Sequence, residues 1–226
     1  MSKKLIAVAA CLLMASPLFA QGKQEERLEK SATVLQEILS EKGLSKHILD
    51  QASCVLVFPS VKKVAVGFGQ SYGRGVLVCR KGPNMNGSWG APAMYALDQS
   101  GLGIQLGSTA TDFVLVVMRK GGVEQILNGK TKLGGNAAAA AGPTGAEATG
   151  YNAAGMTADV LTYSRTKGVF AGVSLEGASM DSDKDANKKV YGKDMSAREI
   201  VTSDQALPMG AKPLVDLLDK TSPKRM

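Results

Sequence analysis

Val55-Leu56-Val57-Phe58-Pro59, Val64-Ala65-Val66-Gly67-Phe68 and Gly75-Val76-Leu77-Val78-Cys79 decide the fold. Each run is short, mostly β-branched or aromatic, and bounded by proline or glycine, which is strand chemistry. Similar runs follow at 93–97, 101–106, 113–118, 123–127, 160–163 and 169–175, and the fourth of these closes on the turn pair Asn128-Gly129. A spacing of roughly 8–12 residues predicts a sheet core with tight turns. Many runs are apolar at consecutive positions, so the sheet is expected to be covered on both faces or strongly curved. Gly67, Gly69, Gly103 and Gly172 lie inside the runs, where glycine weakens a strand unless a bend or close backbone approach requires it.

Upstream the period changes. Residues 23–52 read as helix, with Leu28, Ala32, Leu35 and Leu39 on one stripe. Gly43 breaks the segment, and Ser45 is positioned to cap a second helix carrying Ile48, Leu49 and Ala52. The polar face holds Glu25, Glu26, Glu29, Glu37 and Glu41. Surface-binding helices carry basic faces, so this one is expected to pack on its own domain. Residues 134–150 are rich in glycine and alanine and fit either a helix or a small-residue strand pair. Beyond Gly177 the chain turns polar. Residues 181–185 fit a polar turn leading into a helix that Asp185 or Asn187 could cap. A further short helix is expected at 196–201, and Pro208 and Pro213 mark a loosely structured segment, 206–226, with a last helix possible at 214–218. The predicted class is α+β: N-terminal helices packed on a glycine-rich, strongly curved antiparallel β-sheet or small barrel.

Lys3 and Lys4 precede an uncharged apolar run, 5–14, followed by Ser16, Pro17 and Ala20. This is the layout of a secretory signal peptide, residues 1–20, cleaved after Ala20. Val8-Ala9-Ala10-Cys11 is a rival lipoprotein box behind a very short apolar stretch. The apolar run is too short to span a bilayer, and few aromatics argue against a transmembrane barrel. A periplasmic or secreted protein with one domain at 21–205 is therefore expected. Its cysteines, Cys54 and Cys79, form a disulfide or remain buried thiols. The strand reading places them on the first and third strands of a meander, where they need not be neighbours.

The chain has 226 residues, 27 basic and 20 acidic, and a formal net charge of +7. Residues 53–180 alone carry +5, much of it in the doublets Lys62-Lys63, Arg80-Lys81 and Arg119-Lys120. Each doublet flanks a strand-like run, which allows either solvated loop charge or a shared anion-binding rim. Catalytic motifs are missing. His47 is the lone histidine, without a triad pattern around it. Gly87-Ser88-Trp89-Gly90 has Asn86 where a hydrolase elbow needs glycine, and Gly129-Lys130-Thr131 lacks the earlier glycine of a phosphate loop. Asp181-Ser182-Asp183-Lys184-Asp185 starts like a calcium loop but has Ala186 and Gly192 at its sixth and twelfth positions. No cysteine and histidine spacing suits zinc. Neither an enzyme nor a cofactor is expected. Export and the lack of interleaved aromatics argue against nucleic acid.

The ordered strings Val57-Phe58-Pro59, Gly67-Phe68-Gly69, Gly73-Arg74-Gly75-Val76, Trp89-Gly90-Ala91-Pro92, Gly103-Ile104-Gln105-Leu106-Gly107, Thr111-Asp112, Leu133-Gly134, Gly142-Pro143-Thr144-Gly145, Tyr163-Ser164 and Lys167 through Gly177, closed by Asn187 and Tyr191-Gly192, resemble the SYLF family of lipid-binding domains. Gly90 departs from the serine common there. The resemblance implies binding of phosphoinositides or other acidic lipids; the actin bundling of some members is not carried over to an exported chain. Outside the cytoplasm, anionic phospholipid or a lipid phosphate is the expected partner, met by peripheral membrane contact. Charge placement, not the family, selects Lys62, Lys63, Arg74, Arg80 and Lys81 as lipid contacts, with core packing the expected role of Phe58 and Trp89. The alternative is an envelope scaffold that docks protein on its sheet.

Overall fold

A computed structural model describes residues 16–41, 43–64, 70–100, 110–135, 137–143, 158–166, 168–173, 175 and 177–225. Two helices open the fold, α1 (Ser16–Ser40) and α2 (Lys46–Gln51). Ser45 caps α2 by accepting from the Ile48 N–H, as its side chain and position require. The buried stripe of α1 is Leu28, Ala32, Leu35 and Ile38, while Leu39 is only half-buried.

Strand β1 (Cys54–Val64) runs through Pro59 instead of stopping there. It lies between two partners, a place that normally excludes proline for want of its N–H. A bulge resolves the conflict: the register shifts between Val57 and Lys62 against one neighbour and between Phe58 and Val61 against the other. Ser60 takes a positive φ of 52° and donates its N–H to Asp112 Oδ1 at 2.8 Å. The expected break at Pro59 is therefore a bulge inside one strand.

The remaining elements are β2 (Gln70–Cys79), β3 (Ala93–Ser100), β4 (Thr111–Val117), α3 (Lys120–Leu127), β5 (Thr131–Lys132), β6 (Ala139–Ala141), β7 (Val160–Thr166), β8 (Val169–Gly172), β9 (Ser179–Ser182), α4 (Lys184–Tyr191), α5 (Ala197–Thr202) and α6 (Lys212–Thr221). The sheet order is β5-β9-β3-β2-β1-β4-β7-β6, with β8 also on β7. All pairs are antiparallel except β6 with β7, so the sheet is mixed where an antiparallel one was expected. The two ends of this path, β5 and β6, are neighbours in sequence, and a bridge links Leu133 to Ala137. The sheet is therefore strongly curved into a half-barrel. Gly172 permits the curl, because a Cβ there would collide with the Gly142 carbonyl oxygen. Gly67, Gly69, Gly103 and the predicted strand at 101–106 lie outside the described residues.

Alternation splits the strand residues between two cores. Leu56, Phe58, Leu77, Tyr95, Phe113 and Leu115 point into the half-barrel, around Val123 and Ile126 of α3. Val55, Val57, Val76, Val78, Val114 and Val116 face outward, under α1, α2 and α6. Each buried aliphatic side chain contributes about 1.5–3 kcal/mol, which is why runs apolar at every position are retained. Residues 123–127 are thus helix, not the expected strand: a helix fills the concave space that a further strand could not. The segment 206–226 is also firmer than expected. Leu214, Val215 and Leu218 of α6 are buried against α1.

Candidate functional site

The β1–β2 hairpin sets the geography. Cys54 and Cys79 face each other in register at one end and form a disulfide, S–S 2.06 Å. They lie on adjacent strands, not on first and third, because Pro59 does not end β1. At the other end Lys62 pairs with Tyr72 and Lys63 with Ser71. Eight residue steps from Tyr72 to Arg80, at ~3.3 Å each, separate the two ends by about 26 Å. The five predicted contacts cannot form one patch: Lys62, Lys63 and Arg74 lie toward the hairpin tip, Arg80 and Lys81 at the disulfide end.

At the tip, Lys62 is exposed and makes no ion pair among the described residues. Its cross-strand neighbour Tyr72 is 38% exposed. Arg74, two residues along the same face, stacks over the Tyr72 ring at 4.8 Å and pairs with Asp183. Asp183 also holds Arg27 of α1 at 3.4 Å and caps α4 through the Ala186 N–H. Arg74 is thus chiefly a pin between sheet and helices. Buried Asn187 completes it, accepting from Met94 N–H at 2.7 Å and donating to Met94 O at 3.2 Å. The β7–β8 turn reaches the same end of the sheet, since Arg165 pairs with Asp112 at the start of β4 and Val61 with Thr111. It presents Val169, 70% exposed.

At the disulfide end Arg80 is fully buried, contrary to its expected role as a head-group contact. Its Nε donates to Ala52 O (3.0 Å), Nη1 to Gly87 O (3.2 Å) and Pro223 O (2.9 Å), and Nη2 to Ser222 O (3.1 Å) and Ser222 Oγ. All five guanidinium donors are spent, on groups that carry no formal charge. Burial pushes its pKa down to about 10, with Arg225 adding to the effect. Lys81 is paired with Asp204 at 2.6 Å. Here the second doublet of this end enters, because Lys120 opens α3 close to Arg80. Both border a cavity of about 330 Å³, together with Pro83, Met85, Glu124 and Arg198. Arg198 Nη2 donates to Glu124 Oε2 at 2.7 Å and Asn128 Oδ1 at 3.0 Å, holding the Glu124 carboxyl below its usual range. The doublet Arg119-Lys120 was visible in the sequence; Glu124 and Arg198 carried no signal. Among the described residues no group of three or more histidine, cysteine, aspartate or glutamate side chains could hold a metal, and no helix is long and apolar enough to cross a membrane.

The family model described as Ysc84, Las17-binding protein actin regulator, matches residues 98–221. The chain belongs to the Ysc84 (SYLF) family. Relatives within it include an SH3 domain-containing protein of Schizosaccharomyces pombe, 39% identical over 167 residues, covering 73% of this chain and 38% of that protein. Protein YSC84 of Saccharomyces cerevisiae is 31% identical over 201 residues, 84% of this chain and 42% of its own length. The human SH3 domain-containing YSC84-like protein 1 is 32% identical over 219 residues, 93% of this chain and 62% of its own. This Ysc84-family chain therefore spans less than two thirds of each of these relatives. The range matched by the family model, 98–221, runs from the end of β3 through β4 and α3 to α6.

Proposed function

We propose that this protein is a non-enzymatic, exported binding domain for anionic lipid head groups, working at a membrane surface through the hairpin-tip end. One observation carries the reading: Lys62 and Tyr72 stand side by side on neighbouring strands, both exposed, the cation without a carboxylate partner among the described residues. Exposed Val169 at the same end adds an aliphatic side chain. A cation beside an aromatic ring, with an aliphatic side chain at the same end of the sheet, suits the head-group layer, where rings settle and each lysine contributes about 1 kcal/mol. Lys63 belongs to the same reading by its register opposite Ser71, while Arg74, held by Asp183, has a supporting part. The leader-like residues 1–20 support export to the periplasm or beyond.

Vesicle co-sedimentation tests this. The protein should pellet with vesicles containing acidic phospholipid, fail to pellet with neutral ones, and lose binding as salt rises. Lys62→Glu should weaken binding by about 2 kcal/mol, or roughly thirty-fold, at unchanged thermal stability. Retained affinity in Lys62→Glu would remove the tip from the mechanism.

The second reading is a protein-docking scaffold. It draws on the family description, which names Las17 binding and actin regulation. It predicts a complex indifferent to lipid charge.

A further inference from the structure

We infer that the cavity at the disulfide end is a second binding site, for a free small molecule that carries a phosphate monoester and hydroxyl groups. The cavity measures about 330 Å³, room for roughly ten groups of water size at ~30 Å³ each, and lies within the usual range of ligand sites. Three cations and one carboxylate border it: Arg80, Lys120, Arg198 and Glu124. Arg80 is buried against carbonyl oxygens and makes no ion pair among the described residues, Asp50 and Asp219 acting on it only from farther off. Lys120 is exposed and likewise makes no ion pair among the described residues. Arg198 is fixed by one nitrogen only: Nη2 is bonded to Glu124 and Asn128, whereas Nη1 and Nε make no bond among the described residues. A guanidinium anchored by one edge with free donors, beside a free ammonium, is the donor set a doubly charged oxyanion takes.

Glu124 sets the rest of the ligand. Arg198 keeps it ionised, and an ionised carboxylate only accepts hydrogen bonds. It would repel a second anionic group and receive a hydroxyl instead. Pro83 and Met85 supply an apolar wall for the carbon skeleton. The free form of the ligand follows from position and rests on the reading above: a molecule resting on lipid by its hairpin tip holds this cavity about 26 Å along β2 from Tyr72, beyond reach of a head group.

Isothermal titration of the full chain with glycerol 3-phosphate, with glycerol as the uncharged comparison, tests the site. Glycerol 3-phosphate should bind and glycerol should not. Lys120→Gln, an exposed change, should cost about tenfold or more in affinity, and Lys62→Gln should cost nothing. Equal heats from the two compounds, or an unaltered affinity in Lys120→Gln, would overturn the site. So would vesicle binding that depends on Lys120 in a protein blind to glycerol 3-phosphate. Loss of vesicle binding dependence on Lys62, with the titration intact, would sink the tip reading alone.

Discussion

The Arg80 guanidinium lies over the Trp89 indole at 4.3 Å, and both side chains donate to the same carbonyl oxygen, that of Ser222. The pair ties the end of β2 to the chain leaving α6. The C-terminal residues are thereby part of the core, although their composition reads as a tail.

Replacing this arginine should therefore be costly. Arg80→Met removes the side-chain donors of the Gly87 and Pro223 carbonyls, which are part-buried, and one of the two donors of the Ala52 carbonyl, the other being Arg225 Nη2; each lost bond is worth about 1 kcal/mol. With the lost stack on Trp89, the expected loss is about 2–4 kcal/mol, read as a lower urea midpoint. Arg80→Lys should recover little, since three donors replace five and the planar stack is lost. Trp89 is the chain's single tryptophan, so its emission should shift red in both variants. A lysine variant as stable as the parent would contradict the donor account.

The disulfide gives a second expectation. Cys54 and Cys79 are 25 residues apart, and closing a loop of that length stabilises by about 3–4 kcal/mol at 25 °C in the chain-entropy treatment. Reduction should lower the urea midpoint accordingly while leaving the far-ultraviolet spectrum in native buffer nearly unchanged, because both strands keep their other partners. A midpoint indifferent to reductant would show that the cross-link is not formed in solution.

Alkaline pH should destabilise the fold through its buried phenols. Tyr95 donates to Ile126 O at 3.0 Å and Tyr191 to Pro92 O at 2.6 Å, and burial raises both pKa values well above the ordinary one. The unfolded chain loses these protons near pH ~10 while the folded one keeps them. Stability is thus complete below pH ~10 and falls as pH climbs above it. Tyrosinate absorbance should rise late and together with unfolding, and Tyr95→Phe should flatten the alkaline slope. Smooth titration of all tyrosines near pH ~10 in the folded protein would refute this.

Much of the half-barrel was legible in the sequence. The runs at 55–58, 75–79, 113–118 and 160–163, the stripe Leu28, Ala32 and Leu35, the cap at Ser45, and the two-faced burial all follow from residue type and period, which act locally. The strand at 123–127 was misread because a short apolar run has the same composition in either state, and only the surrounding concave sheet favours a helix there. Asp183, not Asp185 or Asn187, caps α4, and Asn187 instead bonds across to Met94. The candidate sites were less legible still: an arginine beside a strand end looks the same whether it faces water or five acceptors.

By itself, then, the sequence determined the alternation of strand and helix, the family, and the glycine positions where chains can touch, because these depend on side-chain shape at fixed spacing. The tertiary structure alone decided that a proline sits within a continuous central strand, that two cysteines meet across it, and that the doublets of positive charge divide between opposite ends of the molecule. Those outcomes depend on which strands pair and in what register, and register is set by contacts between residues far apart in the chain.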